Sequence, residues 1–227
     1  MSLAARFWEL LSSLSSAQLA VALSAASAML FLVEERRIAL VALLAQYLLI
    51  GLIIGAYVYQ SILYLFLGIG MAISLVLMLS ASRVEHSVRG TRASSLAASE
   101  AKPGDRHVPP AHESMGPLFN SLALVLAGVA AYELWRAFPM AAIPVELTLV
   151  SYWLAANGLV LALISNDPLR IGYGLLTFAN GVISAFLVIE RSLLVFTLVG
   201  ALYGVIAVGV VVCTEAWLVA VRGEAAS

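Results

Sequence analysis

The side chains that could do chemistry inside this chain are three amides in apolar surroundings. Gln46, Asn157 and Asn180 each stand within a long apolar run, whereas the thirteen acidic residues lie near the ends of such runs or in polar segments. An ionisable side chain inside a membrane would be a functional candidate, because it is costly to place there. An amide binds polar partners but does not cycle protons by itself. These three residues therefore predict either a polar path or hydrogen bonds between helices.

No catalytic, cofactor-binding or metal site is predicted. His86, His107 and His112 are separated by 21 and 5 residues, and that spacing matches no compact ligand motif. Cys213 is the only cysteine, so it makes no internal disulfide or multi-cysteine cluster, and we expect a small packing residue there. The only lysine, Lys102, lies in a polar segment, which excludes a retinal Schiff base within a membrane.

The elements that position the amides are membrane helices. The chain has 227 residues, of which 63% are hydrophobic and 11% charged, and its mean hydropathy is +1.02. Soluble domains carry about 25% charged residues, and a soluble chain of this size could not bury so much apolar surface. The net charge of −1 gives no reason to expect nucleic acid as a partner. We expect an all-α integral membrane protein.

Seven apolar runs are each predicted to form a transmembrane helix. They are residues 17–33, 38–57, 62–80, 117–132, 147–165, 171–189 and 192–213. The last two are joined only by Glu190 and Arg191, which predicts a tight antiparallel hairpin. With this threading, nine of the twelve cations fall on one side, which the positive-inside rule makes the cytoplasmic side. The prediction is a multi-pass protein of the cell inner (plasma) membrane, with the N-terminus outside and the C-terminus in the cytoplasm.

The order of these runs divides the chain into five segments. They are an interfacial segment (1–16), a three-helix membrane unit (17–80), a cytoplasmic polar linker (81–116), a four-helix membrane unit (117–221) and a cytoplasmic tail (222–227). Residues 17–80 and 147–213 share their order of spans and turns, and a shift of 133 residues aligns Arg37 with Arg170 and Gln46 with Ala179. Two three-helix repeats plus one linking helix are a hypothesis that this similarity suggests.

Arg170 stands at the beginning of the sixth span. Asn180 follows ten residues later, roughly 15 Å along a helix, which places its amide near the middle of a hydrocarbon core about 30 Å thick. Arg170 is predicted to anchor the cytoplasmic end of this span, and a contact with a neighbouring subunit or a lipid head group is the functional alternative.

Two packing features are predicted along the spans. Glu133 and Arg136 stand three residues apart and can pair on one helical face. Small residues repeat at helical spacing, which favours close helix packing. The glycines concerned are Gly51, Gly55, Gly68, Gly70, Gly172, Gly174, Gly200 and Gly204.

The stretch 169–181, which reads LRIGYGLLTFANG, resembles a helix of hydrogenase-4 component E, a membrane subunit of energy-converting group 4 nickel–iron hydrogenases. Residues 37–49, with Gln46, are similar to that family's second helix, and the second half of the chain resembles the K subunit of respiratory complex I. The resemblance implies a non-catalytic subunit without a cofactor. It would pack between antiporter-like subunits and the subunit that anchors the peripheral arm.

The chain departs from that family at two positions. The family carries a glutamate immediately before the Asn-Gly pair, where this chain has Ala179, and a second carboxylate that the family implies near Gly200 and Ala201 is absent. The resemblance therefore implies the fold of a proton-handling module without its ion-path carboxylates. A stand-alone membrane transporter of small solutes is the alternative function.

Overall fold

The computed structural model describes residues 15–33, 35–57, 64–83, 117–141, 143–189 and 192–226. Seven α-helices and no strands occupy these residues, so the all-α fold class is confirmed. The helices are α1 (Ser16–Leu32), α2 (Arg36–Tyr57), α3 (Tyr64–Arg83), α4 (Pro117–Ala137), α5 (Val145–Ile164), α6 (Pro168–Ile189) and α7 (Leu193–Ala226).

Six of these described helices, α2 to α7, are long and apolar enough to cross a membrane. The apolar part of α1, Ala17–Leu32, is shorter. The 17 residues of α1 make a helix of roughly 25 Å, slightly less than a hydrocarbon core of about 30 Å. The chain is therefore a multi-pass membrane protein in which six of the seven predicted spans have full spanning length.

The ends of the helices differ from the predicted spans mainly in α7. That helix has 34 residues and is roughly 50 Å long, so it continues well past Cys213, where the predicted span ends. The predicted interfacial segment 1–16 and the polar linker 81–116, with its three histidines, lie almost entirely outside the described residues.

The helices of the two halves pack against each other in corresponding pairs. Helix α1 packs on α5 and α2 packs on α6, while α3 meets α7 through the rings of Phe66 and Tyr203. Within the halves, α1 packs on α2, α5 on α6 and α6 on α7, and α4 lies against α5 and α1. This pairing is what a duplicated three-helix unit would give, and the duplication itself stays a prediction.

Two ion pairs between helices lie at one end of the bundle, which we call the Arg36 end. Arg36 at the start of α2 forms an ion pair of 3.0 Å with Asp167, which precedes α6, and Arg83 at the end of α3 lies 3.4 Å from Glu215 of α7. Helices α2 and α6 therefore run parallel from this end, as the predicted threading requires. The predicted pair of Glu133 and Arg136 is confirmed in α4, at 3.9 Å.

Candidate functional site

The centre of the bundle contains four hydrogen-bonded polar side chains, which we call the amide cluster: Gln46, Thr177, Asn180 and Tyr203. Gln46 Oε1 accepts hydrogen bonds from Thr177 Oγ1 at 3.3 Å and from Asn180 Nδ2 at 3.4 Å. Asn180 Oδ1 accepts a hydrogen bond from Tyr203 Oη at 2.5 Å. All four residues are at most 1% exposed. The cluster thus links α2 of the first half to α6 and α7 of the second.

The helical register explains why these residues meet. Thr177 and Asn180 are three residues apart and share one face of α6. Gln46 stands ten residues after Arg36, and Asn180 stands thirteen after Asp167. Because α2 and α6 begin at the same level and run parallel, the two amides reach a similar depth, roughly 15–20 Å from the Arg36 end. Gln46 and Asn180 therefore meet in the middle part of the bundle, and their depth in a membrane stays a prediction.

Three aromatic rings cover the cluster on its α3 side. Tyr47, Phe66 and Tyr203 have ring centroids 5.7 to 6.3 Å apart, and both pairs that include Tyr203 are edge-to-face. Gly70 is needed for this arrangement, since a Cβ there would lie 2.6 Å from Tyr47 Cγ. Edge-to-face packing is the favoured geometry of aromatic pairs, so Tyr47 and Phe66 pack closely against the ring of Tyr203.

Asn157, the third predicted amide, does not join the cluster. It lies on α5, is 1% exposed, and neither of its amide atoms has a hydrogen-bond partner in the described structure. It neighbours Gly158, where α5 and α6 touch. The structure therefore separates one predicted amide from the other two.

An adjacent side of α6 is packed backbone against backbone on α5. A Cβ on Gly158 would lie 2.2 Å from the backbone nitrogen of Phe178, and one on Gly181 would lie 2.4 Å from that of Ala155. Gly174 is equally enclosed, with Ala162 N at 2.6 Å from an added Cβ. No side chain larger than hydrogen fits at these three positions without movement of a helix.

A serine pair continues the α5–α6 interface beyond these glycines. Ser151 Oγ and Ser184 Oγ are 2.9 Å apart, and Ser184 also donates to the carbonyl of Gly181 at 2.9 Å. Both serines are buried. Small residues and satisfied hydroxyls are typical of tight helix pairs in membranes.

Arg170 makes its contact within the chain. Its guanidinium Nη2 donates to the carbonyl oxygen of Phe31 at 2.8 Å. This carbonyl belongs to the last turn of α1, where backbone acceptors lack helical partners and a cation is favoured. Arg170 thereby links the last turn of α1 to the first turn of α6, and its role as an anchor of the cytoplasmic end stays a prediction.

Asp167 provides a second link at the beginning of α6. Its Oδ1 accepts from the backbone nitrogen of Leu169 at 3.1 Å, as an N-cap residue does, while Oδ2 binds Arg36. The end of α1 and the beginning of α2 are therefore each linked to the beginning of α6. One link runs from Arg170 to Phe31 and the other from Arg36 to Asp167.

Ala179, the position of the implied glutamate, is buried beside the amide cluster. It stands seven residues, close to two helical turns, after Gly172, where an added Cβ would meet the side chain of Val210 on α7. The Ala179 methyl group therefore lies on the side of α6 that faces α7. In the described helices, charged residues occur near the Arg36 end and the opposite end of the bundle and not at the depth of Ala179.

The described residues contain no group of three or more His, Cys, Asp or Glu side chains that could hold a metal ion. Chemically, the amide cluster can bind polar partners and orient hydroxyl groups. None of its four side chains is charged at neutral pH.

Sequence reasoning identified Gln46 and Asn180 because amides stand out in apolar runs, but it did not identify Thr177 and Tyr203 as their partners. The spacing of three residues between Thr177 and Asn180 was the signal available for Thr177.

No protein-family model, curated protein or solved structure matches this chain.

Proposed function

We propose that this chain is a non-catalytic membrane subunit of a complex-I-like or group 4 hydrogenase-like energy-converting oxidoreductase. It binds no cofactor and packs between antiporter-like subunits and the subunit that anchors the peripheral arm. One observation supports this more than any other. The two stretches that resemble hydrogenase-4 component E, residues 37–49 and 169–181, meet in the structure through Gln46, Thr177 and Asn180.

The chemistry of the cluster favours a packing role within such a complex. A side chain that relays protons must gain and lose a proton, and the amides do neither. Ala179 supplies a methyl group where the resemblance implies a carboxylate. The proposed subunit therefore joins its neighbours without a proton path of its own.

The proposal is tested by purification of the tagged chain from its native membranes in mild detergent. We expect antiporter-like membrane subunits and iron–sulfur subunits of a peripheral arm to co-purify in fixed ratio. The matched control is the same chain with Gly158→Leu, which should disrupt the α5–α6 interface and lose those partners. Elution of the unaltered chain as a lone monomer or homodimer would overturn the proposal.

A transport assay separates this role from that of a stand-alone small-solute transporter. Proteoliposomes that hold only this chain should show no proton flux and no solute uptake above empty liposomes. Solute uptake by the chain alone would contradict the subunit role and favour the transporter.

A further inference from the structure

Five polar side chains form a continuous stripe along α6. They are Arg170, Tyr173, Thr177, Asn180 and Ser184. The spacings of three, four, three and four residues keep them on one face of a helix, and 14 residues extend roughly 21 Å along its axis. The four residues after Arg170 are all at most 2% exposed. A polar stripe of this length in a membrane protein is buried among helices instead of facing lipid, so its hydrogen bonds must be supplied from inside.

The described protein atoms leave part of this stripe unsatisfied. Tyr173 Oη and Arg170 Nε have no hydrogen-bond partner, and neither does Gln46 Nε2 on the facing α2. Gln46 is fully buried and Tyr173 is 2% exposed. A buried polar atom left without a partner is destabilising, because it has lost its hydrogen bonds to water. Buried polar atoms without protein partners are commonly satisfied by ordered water molecules, each of which makes about three hydrogen bonds.

The polar groups of the stripe reach the surface at the Arg36 end. At the Arg36 end, the side chains of Arg36 and Asp167 are 32% and 29% exposed, so polar groups lead from the surface to Tyr173. Beyond Asn180, the next residue of the stripe, Ser184, is already hydrogen-bonded to Ser151 of α5 and to the carbonyl of Gly181. Water that enters from the Arg36 end would therefore find its last unpaired polar partner in the amide cluster, at Gln46 Nε2.

We propose that the α6 stripe from Arg170 to Asn180 binds a short file of ordered water molecules that is open at the Arg36 end and closed beyond Asn180. These waters bridge Arg170 Nε, Tyr173 Oη and Gln46 Nε2. Because the file is closed at one end, it hydrates the centre of the bundle without connecting the two faces of the membrane. This inference concerns the single chain and does not depend on the proposed function.

Thiol accessibility tests the proposal on three single-cysteine variants in a Cys213→Ser background. Thr177→Cys lies within the file, Ser184→Cys lies beyond the closure on the same stripe, and Val182→Cys lies on the exposed, lipid-side face of α6. Silver ions react with the thiolate, which forms where water reaches the thiol, so we expect Thr177→Cys to be blocked at least about tenfold faster than the other two. The readout is the thiol left for maleimide labelling after denaturation, in protein that elutes as a single species.

Two results would overturn the proposal. Equal slow reaction of Thr177→Cys and Val182→Cys means that the stripe is dry. If Ser184→Cys reacts as fast as Thr177→Cys, the file continues past Asn180 and is not closed there.

A second measurement uses the unaltered chain. Hydroxyl radicals made by X-ray radiolysis of bound water oxidise the side chains beside that water. Tyr173 and Phe196 are both aromatic and both 2% exposed, but only Tyr173 lies on the stripe. We expect oxidation of Tyr173 several-fold above that of Phe196, and equal oxidation of the two rings would contradict the water file.

Discussion

The two sides of α6 hold their neighbours by different means. Towards α5, Gly158, Gly174 and Gly181 let two backbones touch, and the contact depends on the absence of side chains. Towards α2 and α7, Asn180 and its partners hold the helices together by hydrogen bonds between side chains. One side is fixed by shape and the other by polarity.

This difference shows how the two kinds of contact tolerate change. A backbone contact has no rotamer that can move aside, so an added methyl group must displace a whole helix. A cluster of polar side chains can lose one member and rearrange the rest, at the cost of the hydrogen bonds lost. We therefore expect the α5–α6 side to be the more sensitive of the two.

The largest effect is expected for Gly158→Ala. The added Cβ would lie 2.2 Å from Phe178 N and 2.6 Å from Gly174 O, and both are backbone atoms that cannot move without the helix. Overpacking of a rigid interior costs about 1–3 kcal/mol and occasionally more, and we expect the upper part of that range. Thermal unfolding of the purified protein in detergent measures this loss.

The matched control is Gly204→Ala on α7, where an added Cβ meets nothing within 4 Å. The same substitution there should leave the unfolding temperature unchanged or slightly raised, because alanine favours a helix by up to about 1 kcal/mol over glycine. If the two variants had the same unfolding temperature, enclosure of a glycine between helices would make no difference to the stability of its alanine variant.

The glycines also show what the sequence could and could not predict about the fold. The apolar runs predicted the helices, since a spanning length of apolar residues has few other uses. They did not predict which face of each helix packs against protein. Gly204 and Gly68 belonged to the predicted packing set, but an added Cβ at either position meets nothing within 4 Å. Gly158 and Gly181 are enclosed but were not in that set. Lipid and protein interior are both apolar, so the sequence pattern of a membrane helix does not fix which side faces its neighbours.

The candidate site was predictable to a similar extent. Gln46 and Asn180 were identified as central polar residues because an amide in an apolar run is conspicuous, and the structure brings them together. Asn157 was equally conspicuous but lies apart from them on α5. Tyr203 was not singled out, because a tyrosine in a membrane helix has several common uses and only the packing of α7 on α6 makes it a partner of Asn180.

The second largest loss of stability is expected for Asn180→Leu, which leaves Tyr203 Oη and Gln46 Oε1 each without one partner. The loss should be about 1–2 kcal/mol, between the average hydrogen bond in a membrane and a buried unsatisfied group. The double variant with Gln46→Leu should lose less than the sum of the two single losses, because the unpaired Gln46 amide is then gone too. Full additivity in thermal unfolding would show that the two amides do not interact.

Asp167→Ala should cause the third largest loss of stability, since it removes both the N-cap of α6 and the ion pair with Arg36. Loss of a cap costs about 0.5–2 kcal/mol, and we expect about 1 kcal/mol in total for this half-buried group. Asp167→Asn is the matched variant, because its side-chain oxygen can still cap the helix. A loss as large for asparagine as for alanine would show that the charge pair, and not the cap, provides the stability.

The smallest effect is expected for Arg83→Ala at the same end of the bundle. Its contact with Glu215 is longer, 3.4 Å against 3.0 Å for Arg36 and Asp167, and its side chain is 73% exposed. Exposed ion pairs contribute about 0–1 kcal/mol, and we expect less than about 0.5 kcal/mol in thermal unfolding. That small effect should vanish in about 1 M salt, where screening acts within about 3 Å. A loss at Arg83 that matched the loss at Asp167 would mean that the α3–α7 contact, and not the link between the two turns, holds this end together.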